Sequence, residues 1–155
     1  MLSKPTSSHA YGIGIIAMIV GLAVGISYYQ LYYLPELFAK PEVEEEILNP
    51  TRVTTINMIL GSSSPEQQDN FIPKLVNIQL SFDNKLIWDN IDDTPHTVTP
   101  DEPYKDSYSG EFGSHGVIKP GETYEFLFTE AAEISYHCEP HPWMTGKLII
   151  TKVRF

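Results

Sequence analysis

Tyr136-His137-Cys138-Glu139-Pro140-His141-Pro142-Trp143-Met144 sets a thiol, an imidazole and a thioether at steps of three residues. Successive side chains of a β-strand point to opposite faces, so Cys138, His141 and Met144 cannot converge on one point while a strand continues. The chain is therefore expected to leave the strand after Cys138. Pro140 and Pro142 agree, because each lacks an N–H for a ladder and pre-sets a turn dihedral. A short, stiff loop results, with three donors facing inward. Thiolate, imidazole and thioether are soft or intermediate ligands that favour copper, and a trigonal His-His-Cys set with a long axial Met describes a blue-copper electron-transfer site. Zinc shares the Cys and His ligands, but Met is not a usual zinc donor. One histidine is still missing.

Parity sorts the neighbours of the cysteine. In the strand from Ile134 to Cys138, Ile134, Tyr136 and Cys138 share the inward face, and His137 points away from it. The best candidate for the missing ligand is His96, in Asp92-Asp93-Thr94-Pro95-His96-Thr97-Val98-Thr99, directly after Leu86-Ile87-Trp88-Asp89-Asn90. A buried Cys138 thiolate also calls for backbone N–H donors, one of them from the residue after His96. Together with the turn Lys119-Pro120-Gly121-Glu122-Thr123-Tyr124 and the Tyr-x-Cys-x2-His-Pro-x-Met-x-Gly ending, these runs resemble the cupredoxins, closest to the plastocyanin and amicyanin branch. The short Cys-x2-His-x2-Met loop is similar in length to that of amicyanins. The resemblance covers residues 51–155. It implies one type 1 copper ion, with His96, Cys138 and His141 as equatorial ligands and Met144 as the axial one.

Outward from the loop, the pattern is that of short strands. Thr54, Ile56, Met58 and Leu60 share one parity, and so do Val76, Ile78, Leu80 and Phe82. Asp83-Asn84-Lys85 reads as a hairpin turn, and Lys119 to Glu122 as a second turn before Tyr124, Phe126 and Phe128. Gly61 to Asn70 reads as a surface loop and Pro100 to Gly116 as a polar, irregular excursion. Seven or eight strands without amphipathic helices predict an all-β, two-sheet Greek-key sandwich. Trp88 reads as a packing residue, Trp143 as either packing on the ligand loop or lining its exposed edge, and His115 as a surface histidine.

Ahead of this domain (51–155) the composition changes twice. Residues 35–50, with Pro35, Pro41, Pro50 and the Glu42, Glu44, Glu45, Glu46 group, read as an acidic solvated linker in which a short helix can form. Residues 10–34 carry no charge and end in Tyr28, Tyr29, Tyr32 and Tyr33, where an interfacial aromatic belt would fall. They read as a single transmembrane anchor after a short cytoplasmic segment, 1–9. Lys4 on the amino-terminal side favours that end inside, with the copper domain extracytoplasmic at the cell membrane. A cleaved signal peptide, with Ala23-Val24-Gly25 as its small-residue site, is the competing reading.

The 155 residues hold 10 Lys and Arg against 20 Asp and Glu, for a net charge of −10. Nucleic acid is therefore an unfavourable partner, and a basic redox protein or a membrane respiratory complex a favourable one. The lone cysteine excludes an internal disulfide framework and a dinuclear copper centre, which needs two. Three functions fit: a membrane-tethered one-electron carrier, a copper enzyme acting on nitric oxide or nitrite, and a copper subunit of a respiratory complex. The first needs only the mononuclear site. The anchor-plus-domain order resembles the membrane-bound cupredoxins of archaeal respiratory chains.

Overall fold

The alternating segments become two facing four-stranded sheets in the computed structural model, which describes residues 8–152. The chain divides into two units, Met1–Lys40 and Pro41–Phe155. In the second unit, β1 (Val53–Met58), β2 (Phe71–Ile72), β4 (Lys85–Asn90) and β8 (Thr123–Leu127) form one sheet in the order β2-β1-β4-β8. The other sheet contains β3 (Leu75–Gln79), β5 (Thr99–Pro100), β9 (Ala132–Cys138) and β10 (His141–Thr151), in the order β3-β10-β9-β5. β1 lies parallel to β4, and β3 parallel to β10. Parallel neighbours cannot be joined by tight hairpins, so the chain crosses repeatedly between the sheets.

The inward parity is the predicted one over most of its length. Ile56, Met58, Val76, Ile78, Leu80, Phe126, Phe128, Ile134, Tyr136 and Cys138 are buried in one cluster, joined by Leu86, Trp88, Leu148 and Ile150. Two predicted inward residues, Leu60 and Phe82, are exposed instead, because their strands end at Met58 and Gln79. The expected hairpin at Asp83-Asn84-Lys85 is a crossing, since β3 and β4 belong to different sheets. Asn84 is buried there, and its amide donates to the carbonyls of Ile47 (2.9 Å) and Phe128 (2.6 Å). Gly146 pairs with Tyr136 across β9 and β10, and a Cβ at that position would collide with the tyrosine ring.

Two segments read as solvated are packed in part. A short helix, Glu45–Leu48, buries Ile47, and Val43 packs beside the same core, while the glutamates face solvent. The 100–116 excursion contains the small hairpin of β6 (Lys105–Asp106) and β7 (Gly110–Glu111). It is pinned by Phe112, whose ring meets Trp88, Phe126, Phe128 and Tyr136 in the core. Asp106, completely buried, accepts from the Thr129 N–H and hydroxyl, each at 2.7 Å, and from the N–H groups of Tyr108 and Ser109.

The first unit runs as α-helix Ser8–Tyr28, a π-helical turn Tyr29–Tyr33 and a last helical turn Leu34–Leu37. From Tyr11 to Leu37 it is 27 residues, long and apolar enough to cross a membrane. At 1.5 Å per residue it reaches about 40 Å, against a hydrocarbon core of about 30 Å. Its apolar side chains are exposed on every face, which suits lipid better than water. The tyrosines stack in pairs, Tyr28 on Tyr32 and Tyr29 on Tyr33, with centroids 5.7 and 5.3 Å apart. Lys4, on which the expected orientation rests, lies outside the described residues.

Candidate metal centre

Cys138 is the last residue of β9, and its cross-strand partner is His141, the first of β10. The next pair in the ladder is Thr145 with His137, so residues 142–144 stand opposite nothing. The chain thus turns over Glu139-Pro140 and returns at once to the sheet with a bulge, so that the expected short, stiff loop is largely the start of β10. A bulge bends the strand and re-aims its side chains. Convergence of Cys138 and His141 is achieved by that local bend, with the ends held by ladder hydrogen bonds.

His96 approaches from the other side of the chain. It forms an isolated bridge with Ile118, donating its N–H to the Ile118 carbonyl at 3.1 Å and accepting in return at 2.7 Å. Upstream, the buried Asn90 side chain donates to the carbonyls of Thr94 (2.9 Å) and Ile118 (2.8 Å), which fixes the 91–96 turn. The residue after His96 supplies the expected donor: the Thr97 N–H lies 3.3 Å from Cys138 Sγ. The Thr97 hydroxyl accepts the Glu139 N–H at 2.8 Å and ties this turn to the ligand loop.

Three donor atoms meet where these segments converge. His96 Nδ1 and His141 Nδ1 are 3.1 Å apart, and Cys138 Sγ lies 3.7 Å from the first and 3.5 Å from the second. The point equidistant from all three lies about 2.0 Å from each, close to metal–nitrogen bonds of 2.0–2.1 Å and slightly inside a metal–sulfur bond of about 2.3 Å. Copper fits this donor set. Met144 is completely buried, in the same core cluster as Cys138. His137 faces away and pairs with Asp101 at 2.6 Å, and His115 is exposed.

The two histidines have different surroundings. His96 is completely buried, and its Nε2 lies 2.7 Å from Oδ2 of Asp92, itself buried. Burial pushes the Asp92 carboxyl up, but the Gly61 N–H, the His96 ring and the Asp93 N–H together hold it below the usual carboxylate value. His141 is half-buried, with its ring 5.4 Å from that of Trp143. Burial, with His96 beside it, holds the His141 imidazole below its ordinary value. Trp143 donates from Nε1 to the Ser62 carbonyl at 3.1 Å and keeps 37% of its surface exposed, so it both braces the loop and lines its edge.

Asp92 and Ser62 escape a reading of local pattern. Asp92 stands four residues before His96, but outside a helix that spacing implies no contact. The only signal was a carboxylate inside the histidine-bearing run.

A family model for copper binding proteins of the plastocyanin/azurin family matches residues 62–151. Amicyanin from Paracoccus denitrificans is 31% identical over 74 residues, which is 47% of this chain and 53% of that protein. Amicyanin from Paracoccus versutus is 34% identical over 66 residues, 42% of this chain and 47% of its own. The chain thus spans about half the length of the curated relatives it matches. Among solved structures, a purple cupredoxin from Nitrosopumilus maritimus superposes with a TM-score of 0.52 at 22% identity, covering 63% of this chain and 99% of that one. A copper-containing nitrite reductase from Thermus scotoductus gives 0.51 at 18% identity, over 74% of this chain and 28% of the reductase. Both likenesses concern the fold.

Proposed function

Because the chain belongs to the plastocyanin/azurin family of copper-binding proteins, we propose that it is a membrane-tethered one-electron carrier whose copper is held by His96, Cys138 and His141, with Met144 as axial ligand. The convergence of Cys138 Sγ with the two Nδ1 atoms carries this reading. Copper bound there would take up and release single electrons between its two oxidation states. Each protein group has a role in making that easy. The bulged β10, the His96–Ile118 bridge and the Thr97 N–H hold the donors in one arrangement, so little has to move when the charge changes. Burial of His96, Cys138 and Met144 keeps water from rearranging around them.

His141 is the donor nearest solvent, and its ring lies beside that of Trp143. We place the electron port there. An apolar contact permits close approach without desolvating a charge, while the nine basic and 20 acidic residues after Lys4 steer a basic partner toward the domain. The helix from Tyr11 to Leu37 supports anchoring, and the placing of the copper domain on the outer face rests on Lys4 at the amino-terminal side alone.

The test uses the full chain in detergent, titrated with Cu(II) and followed by visible absorption and EPR. An intense thiolate-to-copper band with one copper per chain is expected, and Cys138→Ser should abolish it. An intense band that survives in the serine variant removes the ligand assignment. Added nitrite or azide should leave the spectrum unchanged; a new spectrum with either anion would favour small-molecule chemistry instead.

A further inference from the structure

Resting on that ligand assignment, we propose that Asp92 is the positioning residue of the centre: it fixes His96 with its proton on Nε2 and sets a buried negative charge that favours the oxidised metal. Oδ2 of Asp92 lies 2.7 Å from Nε2, and both side chains are fully shielded from solvent. The other oxygen, Oδ1, accepts the N–H groups of Gly61 and Asp93, each at 2.9 Å. Every partner that can be assigned is a donor, which is what an ionised carboxylate accepts on both oxygens. The hydrogen between Asp92 and His96 therefore sits on the ring. Nδ1 is left with its lone pair, and Nδ1 is the atom facing Cys138 and His141. The opposite tautomer would set two lone pairs against each other at 2.7 Å.

The carboxylate is itself clamped. Gly61 belongs to the β1–β2 connection, 31 residues away in sequence, and the Asn90 side-chain oxygen accepts the Asp92 N–H at 3.0 Å. A side chain held at its backbone and at both oxygens cannot swing away when the charge at the centre changes. Hydrogen bonding to a carboxylate makes an imidazole a stronger donor. A charge shielded from water also acts on its neighbours with little screening. Both effects favour the higher-charged copper.

The experiment compares Asp92→Asn with the wild-type full chain in detergent. The amide oxygen can still accept from Gly61 and Asp93, which turns its NH2 toward Nε2 and drives the ring proton to Nδ1. In the copper-free variant, long-range 1H–15N spectra should show His96 changing from the Nε2–H to the Nδ1–H tautomer. Cu(II) affinity should fall about 10–100-fold. Cu(I), which gains less from the anion, should lose less, and the reduction potential should rise by about 59 mV for each tenfold change in that ratio. If the variant does not fold, the copper-free wild-type spectrum decides alone: a proton on Nδ1 of His96 overturns the proposal. A folded variant with unchanged tautomer and potential overturns it too, even if its unfolding midpoint has moved. The failure of the ligand assignment looks different, as the absence of the thiolate band in the wild type.

Discussion

His96 and His141 offer Nδ1 atoms 3.1 Å apart, yet they stand on opposite kinds of ground. His96 is fully buried, bridged through its backbone to Ile118 and clamped at the ring by Asp92. His141 is half-buried at a strand bulge, between two prolines and beside a partly exposed tryptophan. One side of the centre is closed and holds geometry and charge; the other is open enough for a partner to approach. An electron carrier needs both properties, and here they fall to different segments, one remote in sequence and one local.

The strongest way to break this contrast is to remove each ring and offer it back. His96→Gly and His141→Gly should both lose the blue band completely. Added imidazole should restore it only in His141→Gly, because a free ring can enter from solvent on that side alone. Recovery of the band by imidazole in both variants, read by visible titration, would make the two sides equivalent.

A second test asks whether the special behaviour of the closed side comes from the presence of a histidine or merely from a buried carboxylate. Asp106 is also completely buried and surrounded by donors, but none of them is a ligand. Burial pushes its carboxyl up, and the N–H groups of Ser109, Thr129 and Tyr108 with the Thr129 hydroxyl outweigh that and hold it below the usual value of 3.8. A carboxyl lowered on folding contributes stability above its unfolded value and loses it as pH falls through the lowered one. Acid unfolding of the wild type should therefore steepen below about pH 4. Asp106→Asn should cost about 1–3 kcal/mol at pH 7, flatten that acid dependence, and leave the copper spectrum and potential unchanged. A shifted potential would show that buried charge matters wherever it lies in the domain.

The smallest expected effect is at the open edge. Trp143→Asp should slow electron exchange with a basic cytochrome-like partner several-fold while copper binding persists, since the ring touches His141 but supplies no donor. The wild-type rate should fall as ionic strength rises, because surface charges are screened over about 8 Å at physiological salt. Stopped-flow reduction against salt reads both, and a rate indifferent to salt and to residue 143 would move the port away from His141.

Local order along the chain was enough to find the stretch that brings Cys138 and His141 together. The three-residue steps of Cys138, His141 and Met144, the prolines between them and the parity that turns His137 outward all act within a few residues, where backbone geometry leaves few choices. Alternation likewise marked the core face of most strands, and the lack of charge from residue 10 to 34 marked the apolar helix. What tertiary structure decided lies in the pairings. Nothing within a strand says which sheet it will join, so the turn after β3 could read as a hairpin and prove to be a crossing. Leu60 and Phe82 kept the inward parity on paper, but a strand ends where its partner ends. Phe112 and Ile47 sit in segments whose composition reads as solvated, and only the assembled core shows that they fill it. Asp92 gains its meaning from a ring fixed by Ile118 and a backbone N–H from Gly61, contacts that span 22 and 31 residues of chain and exist only once the sheets have packed.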